Sequence, residues 1–218
     1  MVIATKRSPK KPMTRAFNSE TAKSVLKDAG FSKDCTVCGF NNGQFSSIDL
    51  LTAVLAYTGK AKVTIATWTA AGADISQAVS FLKSGLVDEI KWVVDRSFIS
   101  RQPDLCKHLV VTFGEDSIRI AKSHAKFMLI ENKDWHVVVE TSMNLNKNER
   151  IENFAVTEDL SFYQSYKSIV DDIFRLQDEG KLNKGDKAVN ELMAALQKEA
   201  PKKKLDFGFE LDLNEYAL

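Results

Sequence analysis

The sequence predicts an α/β protein, with a mixed, mostly parallel sheet flanked by helices on both faces, a flexible N-terminal arm and a C-terminal extension. Three observations predict it. Between Cys35 and Gly114, short apolar strands alternate with amphipathic stretches in the order β-α-β-α-β-α, and parallel strands need such crossovers. From Ser117 to Val156, strands follow one another across loops too short for crossover helices, which demands antiparallel pairs and makes the sheet mixed. The 218 residues are 44% hydrophobic and 27% charged, the profile of an ordinary globular chain. That length suits one substantial domain with appendages. The domain is placed at 34–178, after a basic arm and lead-in helix over 1–33 and before a linker, short helix and tail over 179–218.

Each element has a local reason. Residues 1–16 carry five basic side chains (Lys6, Arg7, Lys10, Lys11, Arg15), two prolines and no acid, too little apolar surface to offset ordering entropy. Such an arm is either a phosphate-contacting tail or a solubilising terminus. Thr36 to Phe40 reads as a strand ending in the turn Asn41-Asn42-Gly43. Ser46-Ser47-Ile48-Asp49 has capping-box spacing, with Asp in the place of the usual Glu or Gln, and opens a helix through Leu50, Leu51, Val54 and Leu55 that stops at Gly59. Lys62 to Trp68 is the second strand, Ile75 to Leu82 a helix stopped near Gly85, and Glu89 to Asp95 the third strand. A helix over Pro103 to Phe113 closes at Gly114. Strands follow at Ser117–Ala121, Lys126–Ile130, Val137–Glu140 and Phe154–Val156. Phe162 to Leu176 is a long helix presenting Tyr163, Tyr166, Ile169, Val170, Ile173 and Phe174 on one face. Ala188 to Lys198 reads as a further modest helix.

Composition excludes some classes of protein. Thirty Lys and Arg against 29 Asp and Glu give a net charge of +1, so no global basic field announces a nucleic-acid binder, although local patches can still do so. No apolar run approaches the roughly 18–20 residues of a membrane span, and Met1 to Arg15 lacks the apolar core of a secretory signal. Three cysteines, an odd number, argue against a disulfide framework. A cytoplasmic protein without membrane partners is expected. The segment Leu205 to Leu218 alternates apolar residues with four carboxylates; it is expected either to dock on a protein partner, adding to a sheet edge or groove, or to remain a disordered tail.

Few residues can carry chemistry. Cys35-x-x-Cys38 lies on the first strand, where residues three apart face opposite sides, so buried free thiols are expected and no metal site. Of the three histidines, His108 falls on a helix and His136 at a strand start, both in structural roles. His124 and Lys126 stand two apart entering a strand, on the same face. If neighbouring strands pair, their ends bring Ser142, Asn144 and Glu152 to the same place. That set suits a phosphate. Imidazole attacks phosphorus, Lys126 neutralises the non-bridging oxygens, and Asn144 and Ser142 donate hydrogen bonds to them. Glu152 would orient the ring, as the third member of a triad does.

These residues resemble the phospholipase D superfamily, whose signature is His-x-Lys, a downstream Gly-Ser-x-Asn and a later acidic residue. The matching stretches are His124-Ala125-Lys126, Thr141-Ser142-Met143-Asn144 and Glu152-Asn153-Phe154-Ala155-Val156, the last similar to an element of the small bacterial nuclease members. The motifs cover 124–156, and the element order from Cys35 to about Gln177 suits one such domain. The family's downstream Asp is Glu131 here, or is displaced to Asp134, and Thr141 replaces the usual Gly. The resemblance implies a metal-independent phosphodiesterase without cofactor. In the family two His-x-Lys motifs face each other; this chain has one, so the resemblance implies a homodimer sharing the site. Nucleic acid is the expected substrate. The alternative is a non-catalytic, nucleic-acid-binding or scaffolding dimer with a degenerate pocket, which Glu131 and Thr141 favour.

Overall fold

The structure is a computed structural model and describes residues 21–146 and 149–178. The expected arm over 1–16, the helix over 188–198 and the tail over 205–218 lie outside the described residues.

Local sequence chemistry explains the first elements. A short helix α1 (Ala22–Asp28) leads into strand β1 (Thr36–Asn42). Helix α2 (Ser47–Thr58) begins at the expected capping box, in which the Asp49 amide donates to Ser46 Oγ at 3.3 Å and the Ser46 amide to Asp49 Oδ2 at 2.7 Å. It ends at Gly59, whose φ of 66° only glycine adopts at little cost. Then come β2 (Ala61–Thr67), α3 (Gly72–Lys83), β3 (Val87–Asp95), a one-and-a-half-turn α4 (Arg96–Arg101) and α5 (Pro103–Phe113). A 3-10 turn, Glu115–Ser117, precedes β4 (Ile118–Ala121), β5 (Phe127–Glu131), β6 (His136–Thr141), β7 (Ile151–Glu158) and the closing α6 (Leu160–Asp178). Helix α4 is the element the pattern did not predict. At six residues it is too short for a readable period, and it forms because Asp95 Oδ1 caps the Ser97 amide at 2.8 Å.

The seven strands form one mixed sheet in the order β1-β7-β6-β5-β2-β3-β4. The expectation of a mostly parallel sheet is corrected here. β2/β3 and β3/β4 pair in parallel, whereas β1/β7, β7/β6, β6/β5 and β5/β2 pair antiparallel. The crossover from β1 through α2 does place β1 and β2 in the same direction. The β5-β6-β7 meander, however, inserts between them, and each of its strands pairs with a neighbour of opposite sense.

Two apolar layers cover the sheet. On one face Leu50, Leu51 and Leu55 of α2, Ile75 of α3 and Leu109 of α5 pack on Val63, Ile65, Trp92, Met128 and Val139. On the other, α6 lays Tyr163, Tyr166, Val170, Ile173 and Phe174 on Ala66, Val93, Phe127, Leu129 and Val138. Ile169, expected in that stripe, is 37% exposed, since it stands at the rim of the 3.6-residue period. Cys35 and Cys106 are buried free thiols; Cys38 is exposed, because its side of β1 lies on sheet surface that α6 does not reach. Burial pushes the Cys106 thiol up to about 11. Among the described residues, no helix is long and apolar enough to cross a membrane.

Candidate active site

Strand direction decides where chemistry can gather. β1, β2, β3, β4 and β6 end, and β5 and β7 begin, at one edge of the sheet. The chain winds outward from β2 to β3 and β4, then returns across their ends to β5 on the other side of β2. That reversal opens a crevice at the strand ends, the place where open α/β sheets bind ligands.

His124 and Lys126 lie on the returning segment. The Lys126 ammonium stands 3.1 Å from His124 Nδ1 and donates to the His124 carbonyl at 2.9 Å. The segment is fixed at both ends. The Ser123 amide donates to Asp95 Oδ2 at 3.0 Å, and the Thr141 amide donates to the Lys126 carbonyl at 3.1 Å, extending the β5/β6 ladder by one step. His124 itself is exposed and its ring leans on Trp68, the first residue after β2, with centroids 5.3 Å apart. Burial lowers the Lys126 pKa, and the charges of Glu152 and Asp95 work against that shift. Burial would raise the Asp95 carboxyl, but hydrogen bonds from Ser97 and Ser123 and the Arg101 charge outweigh it and hold the carboxyl low.

Ser142 and Glu152 meet across the β6/β7 junction, where Ser142 Oγ donates to Glu152 Oε2 and accepts the Asn153 amide at 3.0 Å. The expectation that Glu152 orients the imidazole is therefore not met within the chain. Glu152 holds Ser142, and His124 Nδ1 faces Lys126. Asn144 is anchored by its carbonyl, which accepts from Ser47 Oγ at 2.9 Å at the start of α2. Its Oδ1 is buried with no hydrogen-bond partner. Thr141 does not use its hydroxyl on the crevice. It donates to the Asn153 carbonyl at 2.9 Å and accepts the Met143 amide at 3.0 Å, bracing the loop. A small, mostly apolar cavity beside Lys126 and Thr141 is also lined by Ile65, Phe127, Met128, Met143 and Leu145.

Glu131 and Asp134 take no part in the site. Glu131 closes the far end of β5, opposite His136, and hydrogen-bonds Tyr163, raising the phenol's pKa together with burial. Asp134 sits in the β5–β6 turn. The charges that act on Lys126 are those of Glu152 and Asp95, and Asp95 is the one sequence reasoning missed, along with Trp68 and Arg101. Trp68 and Asp95 were legible only as the last residues of predicted strands, and Arg101, at the end of the unpredicted α4, carried no signal. Among the described residues, no group of three His, Cys, Asp or Glu side chains could hold a metal ion.

No protein-family model and no curated protein matches the sequence. Several solved structures are similar to this chain. Nuc from Salmonella typhimurium, described as a phospholipase D family member, is 16% identical with a TM-score of 0.46, over 64% of this chain and 93% of its own. NucT from Helicobacter pylori is 14% identical with a TM-score of 0.49, over 64% and 96%. Phosphatidylserine synthase from Haemophilus influenzae is 14% identical with a TM-score of 0.46, over 75% of this chain but 45% of its own. These likenesses concern the fold alone.

Proposed function

We propose that the protein is a metal-independent phosphodiesterase of nuclease type, with His124 as nucleophile in a site completed by a second copy of the chain. The observation that carries this reading is the contact between the His124 ring and the partly buried Lys126 ammonium in the crevice at the strand ends. Residue positions support the rest. Phe40 and Ile151, 79% and 75% exposed on the β1/β7 pair beside Glu152, offer apolar surface to a second copy.

The contact sets the proton inventory. An ammonium donating to Nδ1 leaves the neutral ring's proton on Nε2, so this contact has to break before the ring attacks, and the ring that serves as proton donor to a leaving oxygen is the protonated one, with both nitrogens carrying protons. For attack, Lys126 turns to the phosphate, Nδ1 carries the proton and the Nε2 lone pair is free. In a paired site one ring forms the Nε2–P bond as the P–O bond breaks, and the ring of the second copy gives its proton to the departing oxygen. Water then attacks phosphorus as the Nε2–P bond breaks and yields its proton to that second ring, restoring one neutral and one protonated imidazole. Lys126 neutralises the phosphoryl charge, the Asn144 amide nitrogen donates to its oxygens, and Ser142 joins it only by turning its hydroxyl from Glu152.

The test is phosphodiester turnover on oligonucleotides by the wild type beside His124→Ala, with and without chelator. Turnover that survives chelator and disappears in His124→Ala is expected, with unchanged thermal unfolding because His124 is exposed. Loss on chelation refutes the metal-free route. The second reading, a non-catalytic nucleic-acid-binding dimer, is favoured by the engagement of Glu152 with Ser142 instead of the ring. It gains the case if oligonucleotides bind without turnover.

A further inference from the structure

Arg101, at the end of α4, and Trp68, just after β2, come from distant parts of the chain and form one stacked unit beside His124. The guanidinium carbon lies 3.6 Å from the centre of the indole ring. Two backbone carbonyls fix its edge: Nε donates to Ser97 O at 3.2 Å and an Nη to Trp68 O at 3.1 Å. Thr69 and Gln102, the next residues along, hydrogen-bond each other and lock the two segments together. The Leu145 amide donates to the Thr69 carbonyl at 3.2 Å, tying the same loop to the Asn144 side of the crevice.

This arrangement does nothing for the core, since Arg101 is exposed and Trp68 only half-buried. Nor is it an ion pair of the ordinary surface kind. The guanidinium sits over the indole with its edge hydrogen-bonded to two backbone carbonyls, and Arg101 is exposed. A planar cation immobilised in that way is a surface on which a flat ring stacks. The same indole has the His124 ring at 5.3 Å between centroids and the Lys126 ammonium 6.0 Å from its centre.

We infer that the Arg101–Trp68 stack is a base platform, holding a nucleobase adjacent to the phosphate at His124 and Lys126, so that the substrate is a single-stranded nucleic acid. The inference rests on the phosphodiester reading above and adds the substrate class. A duplex keeps its bases stacked inward and offers none to the platform, whereas a single strand supplies a base beside every phosphate. Lysine at 101 would retain the charge and lose the plane.

Stopped-flow anisotropy of the full chain with labelled oligothymidylate, an abasic oligomer of equal length, and the corresponding duplex tests this. The wild type should bind the thymidylate about tenfold more tightly than the abasic strand, the order that stacking one base supplies. It should bind the duplex more weakly than the single strand. Arg101→Lys should bring thymidylate to near parity while leaving abasic affinity unchanged, which also shows the variant to be folded. Equal wild-type affinity for the two strands, preference for the duplex, or a preference that persists in Arg101→Lys overturns the platform. Failure of the catalytic reading looks different: oligothymidylate is then preferred over the abasic strand but not cleaved.

Discussion

At the scale of the residue, the site turns on how much charge Lys126 keeps. Burial penalises its ammonium, while Glu152 and Asp95 offset part of that penalty. A lysine with a lowered pKa loses its proton earlier as pH rises, and a neutral amine cannot balance phosphoryl charge. Removing the Glu152 charge takes away one stabilising partner and lowers the pKa further. Glu152→Gln should therefore move the alkaline limb of kcat/KM to lower pH, while its amide oxygen still accepts from Ser142 and preserves the loop. A pH-rate series on both proteins decides this; an unmoved limb, or one moved upward, would mean that Glu152 does not act through Lys126.

At the scale of the element, β1 matters more than its edge position suggests. It pairs with β7 along its whole length, from Thr36 opposite Thr157 to Asn42 opposite Ile151, and β7 carries Glu152. Gly39 lets the Phe154 ring lie against the strand: a Cβ there would stand 3.1 Å from Phe154 Cζ and 3.3 Å from Cε1. That ring is 3% exposed and packs edge-on against Phe45 at 5.6 Å, so it has little room to retreat. Gly39→Val should cost about 1–3 kcal/mol by overpacking, read from the midpoint of urea unfolding. A variant as stable as the wild type would show that the β1/β7 contact is looser than these distances imply. The opposite edge is guarded differently, with the β4 amide of Ile120 donating to Gln177 Oε1 of α6 at 2.9 Å, which closes the edge to a further strand.

At the scale of the whole molecule, the proposed function with one His-x-Lys motif per chain would make assembly part of the chemistry. A shared site needs both rings, so mixing wild type with His124→Ala and allowing subunits to exchange should reduce turnover as the square of the wild-type fraction. A linear fall would indicate that each chain works alone. Sedimentation at the assay concentration supplies the companion measurement, since a monomer that turns over substrate contradicts the shared site.

What the sequence determined by itself was local. The capping box at Ser46 and Asp49, the stop at Gly59, the helix over Pro103–Phe113 and the periodicity of α6 are written in residues a few positions apart, because caps and amphipathic faces depend on neighbours along the chain. The His124 and Lys126 pair was legible for the same reason, being two residues apart. Strand order was not. Apolar alternation marks a strand without naming its partner, so nothing local said that β1 would pair with β7, Thr36 opposite Thr157 and Asn42 opposite Ile151, or that the meander would part β1 from β2. Tertiary structure alone decided the surroundings of the histidine: Asp95 gripping Ser123, Ser142 claiming Glu152, and Arg101 laid on Trp68. Those contacts arise where strand ends from separate crossovers converge, and that convergence follows from burying both faces of one sheet at once, a condition on the whole chain that no short window contains.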